Sequence, residues 1–117
     1  MIRMKEIVEY LNEILPDARC ELNYTKDYEL VIAVMLSAQT TDKRVNMVTK
    51  VLFGKYSTLN DLAGANINDI IEIIKPLGTY MRKARNIIEI ANRILNEKNG
   101  VVPNDRKFLE SLPGVGR

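Results

Sequence analysis

The chain has 117 residues, enough for one domain of ordinary size and hardly for two; 46% are hydrophobic and 27% charged, a globular balance rather than a disordered or membrane one. It contains no histidine, no tryptophan and one cysteine, Cys20, so a Ser-His-Asp triad, a His-ligated zinc site, a four-thiolate metal centre and a disulfide framework all lack their residues. The net charge of +2 is unevenly placed: residues 1–30 carry four basic and seven acidic side chains, residues 31–74 four of each, and residues 75–117 nine basic against four acidic.

The N-terminus alternates charged with apolar residues and lacks the apolar core of a signal peptide. The longest apolar run, Leu30 to Leu36, falls far short of the roughly 20 residues a spanning helix needs. A soluble cytoplasmic protein with no membrane partner is expected. Residues 3–15 are predicted as an amphipathic helix with Ile7, Val8, Leu11, Ile14 and Leu15 on one side and Pro16 beyond. Residues 28–38 are apolar nearly all round, which fits a buried strand or a buried central helix. Their length, the cap candidates Thr25 and Asp27, and the lack of a neighbouring strand pattern favour the helix.

Thr41-Asp42 opens a further helix that runs to about Phe53 and is ended by Gly54. Shorter helices are predicted over 58–63, capped by Ser57 or Thr58, and over 67–74, capped by Asn66. Pro76 and Gly78 break the chain before the longest helix, 80–97. Its apolar face is read as Met81, Ala84, Ile87, Ile88, Ala91, Ile94 and Leu95, and its solvent face as Arg82, Lys83, Arg85, Asn86, Glu89, Asn92 and Arg93. Asn99-Gly100 stops that helix, and Asn104 caps a last one, Asp105 to Ser111. The pattern is all-α: a bundle of about seven helices with short connections and no internal repeat.

Three segments bear on function. Leu112-Pro-Gly-Val-Gly-Arg117 ends the last helix in a tight hairpin with two positions free of Cβ. Such a turn lets a phosphate approach backbone N–H groups, as in a helix-hairpin-helix, the reading favoured over an ordinary Pro-Gly turn at a helix end. In Leu36-Ser-Ala-Gln-Thr-Thr-Asp42 polar residues directly follow the apolar helix; small residues there admit a ligand, and Gln39 offers both a donor and an acceptor. A capped helix-helix joint accounts for the same residues. Between 75 and 93 stand Lys75, Arg82, Lys83, Arg85 and Arg93 against the single acid Glu89, beside a Pro/Gly loop edged by Tyr80. Those charges suit a duplex backbone or a solvated helix face.

Together the segments are more specific than any one. Glu21 to Tyr24, Tyr28 to Asp42, Val45-Asn46, Gly78 to Ile88, Asn99 to Pro103 and Leu109 to Arg117 resemble, in order and spacing, the opening of endonuclease III. The chain resembles that family, within the helix-hairpin-helix DNA glycosylase superfamily, over residues 5–117. Its Leu36-to-Asp42 block is similar to endonuclease III rather than to the related adenine glycosylases.

The resemblance implies base-excision repair: oxidised pyrimidines are removed after the nucleotide is flipped from the stack, and the strand is then cleaved at the abasic site. The implied partner is double-stranded DNA bearing a damaged pyrimidine or an abasic site. Gln39 matches the glutamine that enters the duplex and fills the space of the flipped base. Thr79 stands where the family places a leucine wedge; Thr is smaller and polar, which leaves that role open between Thr79, Tyr80 and a neighbour. Gly114 and Gly116 match the phosphate-holding hairpin, flanked by Val115 and Arg117.

The family's catalytic lysine directly follows this hairpin, a downstream aspartate assists it, and four C-terminal cysteines hold an iron–sulfur cluster. None of these falls within the 117 residues, and Lys98 and Lys107 lack the hairpin context. The expectation is therefore the N-terminal part of a longer enzyme, with no catalytic residue, no metal site and no cofactor in these residues, and inactive alone. Residues 1–20 are expected as a helix resembling part of the cluster-side domain, and 21–117 as an incomplete glycosylase domain ending in an unfinished helix-hairpin-helix. Without its usual partner the first helix would leave apolar surface for self-association or repack. The alternative from another class is a non-catalytic helix-hairpin-helix DNA-binding module.

Overall fold

Helix α2 (Asp27–Leu36) organises the molecule, because every residue from Tyr28 to Leu36 is buried. Its β-branched Val31, Ile32 and Val34 each cost a few tenths of a kcal/mol in helix propensity, whereas burying each such side chain stabilises by about 1.5–3 kcal/mol. Burial wins, and the segment is a central helix. The computed structural model describes residues 6–11, 26–38 and 40–115.

Around α2 lie the helical residues 6–11 (α1), α3 (Asp42–Lys55), α4 (Leu59–Ala63), α5 (Ile67–Ile74), a 3-10 turn at Lys75–Leu77, α6 (Tyr80–Lys98) and α7 (Arg106–Ser111). Among the described residues there are seven α-helices and no strand. Helix α6 packs against α4, α5 and α2, while α3 packs against α2 and α5. Thr41, Thr58 and Asn66 cap their helices as expected, accepting from the backbone N–H groups of Arg44, Asp61 and Asn68 at 3.2, 3.1 and 2.8 Å. No helix among the described residues is long and apolar enough to cross a membrane.

Several local expectations are corrected. Helix α3 continues through Gly54 to Lys55, where Tyr56 N–H closes its last turn on the Leu52 carbonyl at 2.8 Å. The cap of α7 is Asp105, whose Oδ1 accepts from Lys107 N and Phe108 N at 3.0 and 3.3 Å. A carboxylate meets the positive helix end better than a neutral amide, and Asn104 instead donates to Glu6 Oε2 at 3.0 Å, tying α1 to the segment before α7. Ile7 and Leu11 of α1 are fully buried, so the described part of that helix has a covered apolar face.

On α6 the buried face carries Lys83, Ala84, Ile87, Ile90, Ala91 and Ile94, while Met81 is 53% exposed. At about 100° per residue Lys83 stands only about 40° from Ile87 around the helix, and Met81 about 120°. The isoleucines set the rotation of the helix, and that rotation takes a lysine in and leaves a methionine out.

Candidate functional site

Three segments distant in sequence meet around the first half of α6: the connection from α2 to α3, the turn that opens α6, and the turn after α7. The first begins where α2 ends. Ser37 N–H donates to the Ala33 and Val34 carbonyls, and its Oγ donates to the Val34 carbonyl at 2.7 Å. Lys83 Nζ, from α6, donates to the carbonyls of Leu36 at 3.0 Å and Ala38 at 2.9 Å. Lys83 is 4% exposed, and its burial holds the ammonium below the ordinary lysine range.

The second segment is Gly78-Thr79. Gly78 has φ +73° and Thr79 φ +40°, ψ +36°, a left-handed conformation that is sterically costly for a β-branched residue. Thr79 is exposed, and its carbonyl accepts from Lys83 N–H at 3.1 Å. Its side chain makes no capping bond, and the first turn of α6 holds no acidic residue. Neither the Thr79 side chain nor an acid of the first turn neutralises the positive end of this 19-residue helix.

The third segment packs on the other two. Leu112 and Val115 are buried, and Val115 N–H donates to the Leu112 carbonyl at 3.1 Å. Gly114, between them, has φ +80°, and a Cβ there would lie 2.7 Å from both Asn86 Nδ2 on α6 and Met35 Cγ on α2. The hairpin therefore lies flat on α2 and α6 while Gly114 stays exposed on its outer side. Arg93 aims the helix leading into it: Nη1 donates to the Ser111 carbonyl at 2.7 Å, Nη2 to Ser111 Oγ at 2.9 Å, and the guanidinium stacks 5.2 Å from the Phe108 ring centre.

The basic set of the sequence divides accordingly. Lys83 points inward, Arg93 is engaged by Ser111, Phe108 and Glu97, and Lys75 pairs with Glu72 at 2.9 Å. Arg82 and Arg85 are exposed beside the turn, with no ion pair among the described residues. Of the expected site residues, Thr79 and Gly114 are exposed and Val115 is a buried anchor. Gln39, Gly116 and Arg117 lie outside the described residues. Lys83 and Asn86, which join the three segments, were read as solvent-facing; the available signal was the placement of Lys83 one turn before Ile87. Among the described residues no group of Cys, Asp or Glu is placed to hold a metal ion.

Residues 32–115 match the family model of the HhH-GPD superfamily base excision DNA repair protein. Endonuclease III of Bacillus subtilis (strain 168) is 42% identical over 120 residues, spanning 100% of this chain and 55% of the relative. Endonuclease III of Escherichia coli (strain K12) is 43% identical over 112 residues, 96% of this chain and 53% of the relative. The chain spans about half the length of the curated relatives it matches. A non-covalent endonuclease III–DNA complex superposes with a TM-score of 0.80 at 44% identity, covering 100% of this chain and 56% of that one. A thermostable thymine-DNA glycosylase superposes with a TM-score of 0.73 at 26% identity, covering 97% and 52%.

Proposed function

The chain belongs to the HhH-GPD superfamily of base excision DNA repair proteins, and on that premise we propose that it forms the DNA-gripping part of an endonuclease III-type glycosylase and abasic-site lyase for oxidised pyrimidines. The observation that carries this reading is the meeting of the α2–α3 connection, the Gly78-Thr79 turn and the Leu112–Val115 hairpin around Lys83 and Asn86.

Each part has a physical task in that reading. A damaged nucleotide must leave the stack before its glycosidic bond can be reached, which leaves a gap in the duplex. Gln39 fills the gap, and Thr79, exposed on a strained turn, abuts it. The backbone N–H groups of the hairpin, from Gly114 through Gly116, with the Arg117 guanidinium, hold a phosphate. Val115 serves by anchoring that hairpin, since its side chain is buried. Arg82 and Arg85 add sequence-independent attraction to the backbone. The protein would act in the cytoplasm, on DNA.

No residue among the 117 is assigned as nucleophile. Lys83 is the lysine built into the site, but its ammonium is buried on two carbonyls, which keeps it from attacking a sugar carbon. An iron–sulfur cluster does not fit the residues present either, since Cys20 is the one thiol. These 117 residues alone are therefore inactive in both reactions.

Two measurements test the reading. Fluorescence anisotropy is expected to show salt-dependent binding that is tighter for a duplex with a tetrahydrofuran abasic analogue than for undamaged duplex. Borohydride treatment on abasic-site DNA is expected to trap no covalent adduct. An adduct would overturn the assignment of inactivity. Equal affinity for the two duplexes would support a non-catalytic DNA-binding module, and no binding at low salt would remove both readings.

A further inference from the structure

We infer that Lys83 is a positioning residue of the DNA interface: held between the Leu36 and Ala38 carbonyls, its ammonium sets the course of the connection from which Gln39 enters the duplex. The inference rests on the proposed role of Gln39.

The need for such a residue follows from the end of α2. The last carbonyls of a helix have no partner within it and carry its negative dipole end. Leu36, the last residue of α2, is buried, and the last turn of the helix holds no basic residue. Lys83 supplies the missing charge and donors from another helix, 47 positions away. Desolvating an ammonium is costly, so the position is not one a lysine occupies by default.

The second bond carries the inference beyond helix capping. The Ala38 carbonyl belongs to the peptide unit that joins Ala38 to Gln39, so the ammonium acts on the link from which Gln39 departs. On the far side of Gln39, Thr40 N–H donates to the Ser37 carbonyl at 3.3 Å, and Thr41 caps α3. The residues on both sides of Gln39 are thus held before DNA arrives, which lowers the ordering cost of binding.

The test compares Lys83→Met, Gln39→Ala and the double variant for binding to tetrahydrofuran-containing and undamaged duplexes. Lys83→Met is expected to reduce the preference for the abasic duplex about tenfold while affinity for undamaged duplex stays within about twofold. The double variant is expected to prefer the abasic duplex no less than Gln39→Ala alone, because Lys83 acts through Gln39. If Lys83→Met does not fold, Lys83→Gln, whose amide still serves one carbonyl, is expected to give the same selective loss in smaller measure. Equal weakening on both duplexes, or full additivity with Gln39→Ala, would reduce Lys83 to a structural cap and overturn the inference. Retention of the preference by Gln39→Ala would instead sink the role of Gln39, and the inference with it.

Discussion

Gly114 lies so close to Met35 that a Cβ on it would stand 2.7 Å from the Met35 Cγ, with Asn86 Nδ2 crowding the same point at 2.7 Å. The glycine is needed for this contact and for its φ of +80°. Gly114→Ala is expected to destabilise the chain by about 2–5 kcal/mol, the left-handed backbone contributing about 1–2 kcal/mol and the overpacking about 1–3 kcal/mol. Urea denaturation measures this, and affinity for abasic duplex is expected to fall with it. Gly54 makes the contrast: it is exposed within α3 and has nothing within 4 Å of its Cβ position. Gly54→Ala is expected to stabilise by about 0.5–1 kcal/mol.

Thr79 holds a left-handed conformation that asparagine adopts more readily. Thr79→Asn is expected to raise stability by about 1 kcal/mol. The same substitution changes the surface presented to DNA, so a gain in melting temperature accompanied by weaker binding to abasic duplex is the expected result. A loss of stability would show that the Thr79 backbone is not strained.

Arg93 is the tie between α6 and α7. Arg93→Met removes two bonds to Ser111, the stack on Phe108 and the pair with Glu97, and is expected to cost about 1–2 kcal/mol. Glu97→Ala removes an exposed pair only and is expected to cost less than Arg93→Met. Thermal unfolding of the two variants side by side checks the order.

Tyr28 gives a pH dependence. Burial raises its phenol above the ordinary value of 10.0, partly opposed by Lys26, and its hydroxyl donates to the Ser57 carbonyl at 3.1 Å. A raised value means that the folded state keeps its proton where the unfolded chain loses it. The stabilisation is complete below pH 10.0 and declines as pH rises through the higher folded value. Denaturation followed from pH 9 upward is expected to show this decline, and Tyr28→Phe to abolish that part of it.

Local chemistry wrote much of this fold into the sequence. Thr41, Thr58 and Asn66 mark helix starts because a short oxygen-bearing side chain can reach the free N–H groups there. Asn99 and Gly100 mark a stop because both accept positive φ. The blocks at Leu36 to Asp42, Gly78 to Ile88 and Leu109 to Arg117 likewise carried the family, which the match over residues 32–115 bears out.

What periodicity could not supply was the rotation of each helix against its neighbours. Residue type placed Met81 inside and Lys83 outside; the packing of Ile87, Ile90 and Ile94 reversed them. The cap of α7 is the carboxylate of Asp105, while Asn104 bonds instead to Glu6, nearly a hundred positions away. The sequence by itself determined the helices, their order and the family, because those depend on neighbours a few residues apart. Only the tertiary structure decided that Lys83 seals the end of α2 and that Gly114 rests on Met35. Those contacts join residues far apart in the chain, and they form only once the apolar faces between them are buried.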